Sequence, residues 1–180
     1  GVYTFASGKK YVGEFRDGLK TGRGTYTYEG LPQFAGDTYV GEVMDGEPNG
    51  NGTYTWGPSS RYAGDIYIGE WRDGIKNGQG SYASANGNKY VGEFKGGKSN
   101  GRGIFAYGRL SKFRGDIYEG EFRNGIKEGQ GTYTFGSTSK KAGDIYVGRW
   151  ENGKPKGQGT HTFANGNKFI GEFWAGKKNG

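Results

Sequence analysis

Tyr67-Ile68-Gly69-Glu70-Trp71 runs on through Arg72-Asp73-Gly74-Ile75-Lys76-Asn77-Gly78 into Gln79-Gly80-Ser81-Tyr82. In an extended chain Tyr67, Gly69 and Trp71 share one face, while Ile68 and Glu70 share the other. Gly80 and Tyr82 alternate with Gln79 and Ser81 in the same way. The residues between are rich in turn formers. A glycine every few positions would cost a helix about 1 kcal/mol each. The stretch therefore reads as two strands joined by a turn.

The same order recurs along the chain. Full units begin at Tyr11, Tyr39, Tyr67, Tyr90, Tyr118 and Tyr146, at steps of 28, 28, 23, 28 and 28 residues, and a further step of 23 reaches a front half-unit at Phe169. Gly1-Val2-Tyr3-Thr4-Phe5 is a back half-unit. Three short connectors, 6–10, 85–89 and 164–168, are predicted to be tight hairpin turns. In the last two, Asn-Gly points to a type I′ turn. The long connectors end in Gly36-Asp37, Gly64-Asp65, Gly115-Asp116 and Gly143-Asp144 and read as longer hairpin loops, the aspartates serving turn chemistry.

Composition fits this pattern. The 180 residues include 40 Gly, 14 Tyr, 11 Phe and 4 Trp, and no Cys. Aromatic rings replace aliphatic side chains as the main apolar surface. A glycine between two rings leaves a gap over which a ring from the next strand can lie. A lone hairpin is marginal in water, so stacked neighbours must bury one another's rings. The predicted fold is all-β: a single elongated, twisted antiparallel sheet of consecutive hairpins, one array over 1–180, with about fourteen strands. Starting and stopping within a unit is the expectation for a piece of a longer array. Unpaired edges would also invite end-to-end self-association.

The unit Y-x-G-E-[F/W]-x-x-G-x-x-x-G-x-G resembles the MORN (membrane occupation and recognition nexus) repeat. The resemblance covers six full copies and two halves. Departures are Val43 and Ser84 at aromatic positions, Arg149 for Glu, Phe169 for Tyr, and the 28-residue spacing. The resemblance implies a non-enzymatic scaffold that holds a protein segment in a groove. It also implies two alternatives, peripheral attachment to an anionic membrane and an arm of a larger multidomain protein.

Catalysis needs an asymmetric constellation, and the chain offers ladders. His161, the only histidine, stands where other units place Tyr or Phe and is expected to be a packing ring. Glu14, Glu42, Glu70, Glu93, Glu121 and Glu172 recur once per unit and are expected to pair with Arg or Lys across strands. No cofactor or metal site is expected. Net charge is +7. Bases and acids interleave, and the rings alternate with glycine in a packing register, so no nucleic-acid partner is expected. Absence of Cys fits a reducing compartment, and a cytoplasmic, membrane- or cytoskeleton-associated protein is expected.

Two surfaces are candidates for binding. Tyr67, Trp71, Tyr90, Phe94, Tyr118 and Phe122 are the central rings expected to line a groove. Lys140, Lys141, Lys154, Lys156, Lys177 and Lys178 form the basic end expected to meet an anionic membrane.

Overall fold

The computed structural model describes residues 1–179 and is built of β-strands joined by turns. It divides into two compact units, Gly1–Ala85 and Asn86–Gly180. In the first, β1 (Val2–Thr4), β2 (Lys9–Arg16), β3 (Leu19–Tyr28), β4 (Asp37–Met44), β5 (Glu47–Thr55), β6 (Ile66–Arg72) and β7 (Ile75–Ala83) pair in chain order, all antiparallel. In the second, β8 (Lys89–Lys95), β9 (Lys98–Ala106), β10 (Ile117–Arg123), β11 (Ile126–Thr134), β12 (Ile145–Glu151), β13 (Lys154–Thr162), β14 (Lys168–Trp174) and β15 (Lys177–Asn179) do the same. A strand pairs with its sequence neighbours because every connection is a turn or short loop that reverses the chain.

The two-residue turns with positive φ lie inside the repeats. Asp17-Gly18, Asp45-Gly46, Asp73-Gly74, Asn124-Gly125 and Asn152-Gly153 carry φ of 49° to 88° at both positions, the type I′ signature. The short connectors differ from the type I′ expectation. There only the glycine is left-handed, as at Gly87 with φ 87°. At Gly8 and Gly166 the glycine N–H closes a four-residue turn onto Phe5 and Phe163. That is a type I turn followed by a left-handed glycine. In the first long connector, Pro32–Phe34 makes one turn of 3-10 helix.

The ring ladder forms as the alternation predicts. Tyr11, Tyr26, Tyr39, Tyr54, Tyr67 and Tyr82 face one another in register across the first unit. Tyr90, Phe105, Tyr118, Tyr133, Tyr146, His161 and Phe169 do so across the second. Each first-strand tyrosine leans along its strand over the adjacent row of glycines. A Cβ at Gly24, Gly52, Gly80, Gly103, Gly131 or Gly159 would fall under 3.0 Å from that ring. The hydroxyls of Tyr11, Tyr39, Tyr67, Tyr90, Tyr118 and Tyr146 donate to the main-chain carbonyl three residues on, at 2.6 to 3.1 Å. At that point most first strands carry a β-bulge, marked by a register shift such as that between Gly13 and Phe15.

Candidate functional site

The six predicted groove rings all lie in the core. Tyr67 and Tyr118 are 0% exposed, and Trp71, Tyr90, Phe94 and Phe122 are 4% to 8% exposed. Trp71 stands edge-on to Tyr67 at 5.1 Å and to Tyr39 at 5.4 Å, and its Nε1 donates to Gly52 O at 3.2 Å. In the second unit Tyr90, Phe94, Tyr118 and Phe122 form one continuous cluster with centroids 5.0 to 5.1 Å apart. The first-strand ring of one repeat covers the tyrosine of the repeat before it, so these rings are sealed by their neighbours. Trp56, Tyr107, Phe135 and Phe163, just past the ends of second strands, are half-buried.

Lysines enter this ring face. Lys20, Lys76, Lys127 and Lys178 alternate along the chain with Pro48, Ser99 and Pro155 at the same register position, opposite the ring or Val43 of the first strand. The Lys127 ammonium lies 4.4 to 5.1 Å from the centroids of Tyr107, Tyr118, Tyr133 and Trp150. Burial lowers its pKa to about 8, against a smaller upward pull from Asp116. The four rings attract the ammonium through their quadrupoles.

The repeated acids have partners that the sequence reading did not assign. Glu14, Glu42, Glu70, Glu93 and Glu121 make no ion pair among the described residues. Each carboxylate accepts a main-chain N–H across its hairpin, from Arg23, Asn51, Gln79, Arg102 and Gln130, at 2.8 to 3.2 Å. The bulge displaces the carbonyl that would have accepted this N–H, and the side chain substitutes for it.

The connector aspartates do more than shape turns. Asp37, Asp65, Asp116 and Asp144 are buried, at 0% to 8% exposure. Each binds the ring 17 residues on, Tyr54, Tyr82, Tyr133 and His161 respectively. Each also accepts an N–H 20 residues on, from Gly57, Ala85, Gly136 and Ala164. His161 stacks on Phe135 at 5.9 Å and packs on Phe163 at 4.8 Å. It is a packing ring that also holds Asp144 at 2.6 Å.

The predicted basic end is split. Lys140 and Lys141 lie in a connector loop, at one end of β12. Lys154, Lys156, Lys177 and Lys178 lie at the hairpin-turn end, about 20 Å away along seven residues of strand. Lys156 pairs with Glu151, and the Lys178 ammonium sits 4.0 Å over Phe163. Lys140 and Lys141 instead join the preceding long connector, where Arg109, Lys112 and Arg114 are exposed beside Leu110 (70%) and Phe113 (44%). Thr138 Oγ1 donates to Arg114 O at 2.6 Å and ties the two loops together. Both acids of these loops, Asp116 and Asp144, are turned inward. The equal spacing of the long connectors was the sequence signal that places them side by side.

The face opposite the rings is open. Val12, Thr25, Val40, Thr53 and Ile68 stand in register across five strands. Val12, Val40 and Ile68 are 45% to 57% exposed. With Arg23, Glu42 and Asn51 they line a shallow groove of about 540 Å³. No group of three or more metal-ligating side chains occurs among the described residues, and no helix there is long and apolar enough to cross a membrane.

Comparison with known proteins agrees with the repeat reading. No curated protein sequence matches the chain. Similar solved structures include a selenomethionine-substituted virginiamycin B lyase from Staphylococcus aureus, at 8% identity over 96% of this chain and 83% of that one. Its TM-score of 0.22 supports no argument. The MORN repeat model matches residues 11–30, 39–61, 67–89, 90–109, 118–140 and 146–168, and the chain belongs to the MORN repeat family.

Proposed function

We propose that the chain is a non-enzymatic scaffold that holds a segment of a partner protein on its open face. The observation that carries this reading is the register row Val12–Thr25–Val40–Thr53–Ile68, which leaves apolar side chains in water along one continuous groove. Tyr67 and Trp71 lie on the other face of the same strands, buried among the rings. The β-branched row offers apolar contact at every strand, with Glu and Arg groups alongside to fix direction.

Affinity capture from the native source tests the reading. Val40→Asp and Ile68→Asp alter exposed side chains and leave the ring ladder intact. Loss of a partner from both variants, with unchanged circular dichroism and melting, is the expected result. A full set of partners retained by both overturns it.

A second reading is peripheral attachment to an anionic membrane. It is supported by the two-loop rim of Arg109, Lys112, Arg114, Lys140 and Lys141, with Leu110 and Phe113 exposed among them. Such a rim joins electrostatic attraction to shallow apolar insertion. Flotation with phosphatidylserine vesicles at low salt is expected, with loss on raising salt or in Leu110→Ser/Phe113→Ser. Failure to float at low salt excludes it.

A further inference from the structure

Five of the six full repeats satisfy the N–H beside their bulge with their own carboxylate; the sixth carries a cation there instead. In the five, a glycine with φ of +65° to +96° (Gly22, Gly50, Gly78, Gly101 or Gly129) precedes the donor, and a Cβ on it would meet the carboxylate under 3.0 Å away. The sixth repeat keeps the backbone. Gly157 has φ +71°, Gln158 follows it, and the register shift between Gly148 and Trp150 is present. Arg149 stands where the Glu would be, and no heavy atom lies within 4 Å of the Cβ position of Gly157.

We propose that this hollow is a carboxylate-binding subsite, formed by the Gln158 N–H and the Arg149 guanidinium, that receives a Glu or Asp side chain from an acidic partner segment. The proposal rests on the scaffold reading and adds the chemistry of the partner. Five copies on the same chain show which group this backbone shape accepts. Arg149 is exposed and makes no ion pair among the described residues. A guanidinium and a main-chain N–H together can hold both oxygens of one carboxylate. Lys156, next to Gly157, is paired with Glu151, whose carboxyl also feels the Arg149 charge, so Arg149 is the cation at this site without a direct ion pair. Glu172 registers opposite Gln158, and Glu121 and Glu128 line a depression with Arg149. These acids disfavour a doubly charged phosphate and leave a single carboxylate as the matching ligand.

Amide NMR on the whole ¹⁵N-labelled chain tests this at constant ionic strength. The probes are sodium acetate, a peptide blocked at both ends that carries a single Glu, and inorganic phosphate. Acetate and the peptide are expected to move the Gln158 amide saturably toward the positions of Gln79 and Gln130, which stay still because Glu70 and Glu121 already bind them. Arg149→Glu restores the pattern of the other repeats. It should place the Gln158 amide near those positions without ligand and abolish the response. A Gln158 amide that does not move, that moves only together with Gln79 and Gln130, or that still responds in Arg149→Glu overturns the subsite. A stronger response to phosphate than to acetate overturns the carboxylate assignment. If the titration fails while Val40→Asp still loses a partner, the subsite falls and the scaffold stands; if both fail, the scaffold falls too.

Discussion

Tyr54 donates its hydroxyl to Asp37 at 2.6 Å, across 17 residues of chain. The pair recurs along the chain. Where the ring is Tyr82, Tyr133 or His161, the partner is Asp65, Asp116 or Asp144. Where the ring is Phe105, which has no hydroxyl, the equivalent connector residue is Asn88, whose Oδ1 still accepts Gly108 N–H at 2.8 Å. A buried carboxylate is tolerated only with its donors in place, so loss of the hydroxyl goes with loss of the charge.

This relationship sets the first expectation. Tyr54→Phe leaves Asp37, 0% exposed, short of one donor, and should destabilise the protein by about 1–3 kcal/mol. Adding Asp37→Asn recreates the Phe105–Asn88 arrangement and should recover part of the loss. A double-mutant cycle by urea unfolding, with coupling of at least about 1 kcal/mol, checks it. Additive losses would mean that the pair does not act as a unit.

The glycine row should separate crowding from backbone strain. Gly52→Ala places a Cβ against the Tyr39 ring, whereas Gly46→Ala meets nothing within 4 Å but must adopt φ +88°. The first should cost about 3 kcal/mol, at the upper end for overpacking. The second should cost about 1–2 kcal/mol, for a left-handed non-glycine residue. Thermal unfolding of the two variants gives the order, and a reversed order would contradict the ladder packing.

Trp71 contacts Tyr39, Tyr54 and Tyr67. Trp71→Ala is therefore expected to cost about 3–5 kcal/mol. A variant with wild-type stability in urea would show that the ring is not part of the core.

Acid should loosen the second unit through Asp144. Burial pushes its pKa up, but the hydrogen bonds from His161 and Ala164 and the charge of Lys141 outweigh this and hold it below the usual carboxylate value. A folded-state pKa below the unfolded one adds stability above the unfolded value, about pH 4, that is lost as pH falls through the folded value. Asp144→Asn should flatten this acid limb in urea titrations between pH 5 and pH 2. An unchanged limb would assign the acid sensitivity elsewhere.

Lys127 is shifted in the same direction for a different reason, the burial of its charged form. Its folded pKa of about 8 lies below the ordinary lysine value, so the folded state disfavours the proton. Stability should rise with pH between about 8 and about 10.4, where the unfolded chain binds more protons. Lys127→Met should remove this rise. NMR of the Lys127 side chain should give a midpoint near 8, and a midpoint at the ordinary value would show that the four rings fully offset the burial.

The residues by themselves determined the strands, the turns and the ring ladder. Alternation of period two, glycine between rings and a repeated order are local signals, and stacking identical hairpins leaves one way to bury the rings. Tertiary structure alone decided what each repeated polar group does. Glu70 accepts the N–H of Gln79 because a bulge, invisible in the sequence, displaces a carbonyl. Asp37 reaches Tyr54 and Gly57 through a fold-back of 17 to 20 residues. Lys140 and Lys154 separate because a strand lies between them, while Lys140 and Arg114 come onto one rim. Tyr67 to Tyr82 marks the boundary between the two. Its pattern gives the hairpin, but the burial of Trp71 under neighbouring rings and the exposure of Ile68 on the far face follow only once the adjacent strands are in place.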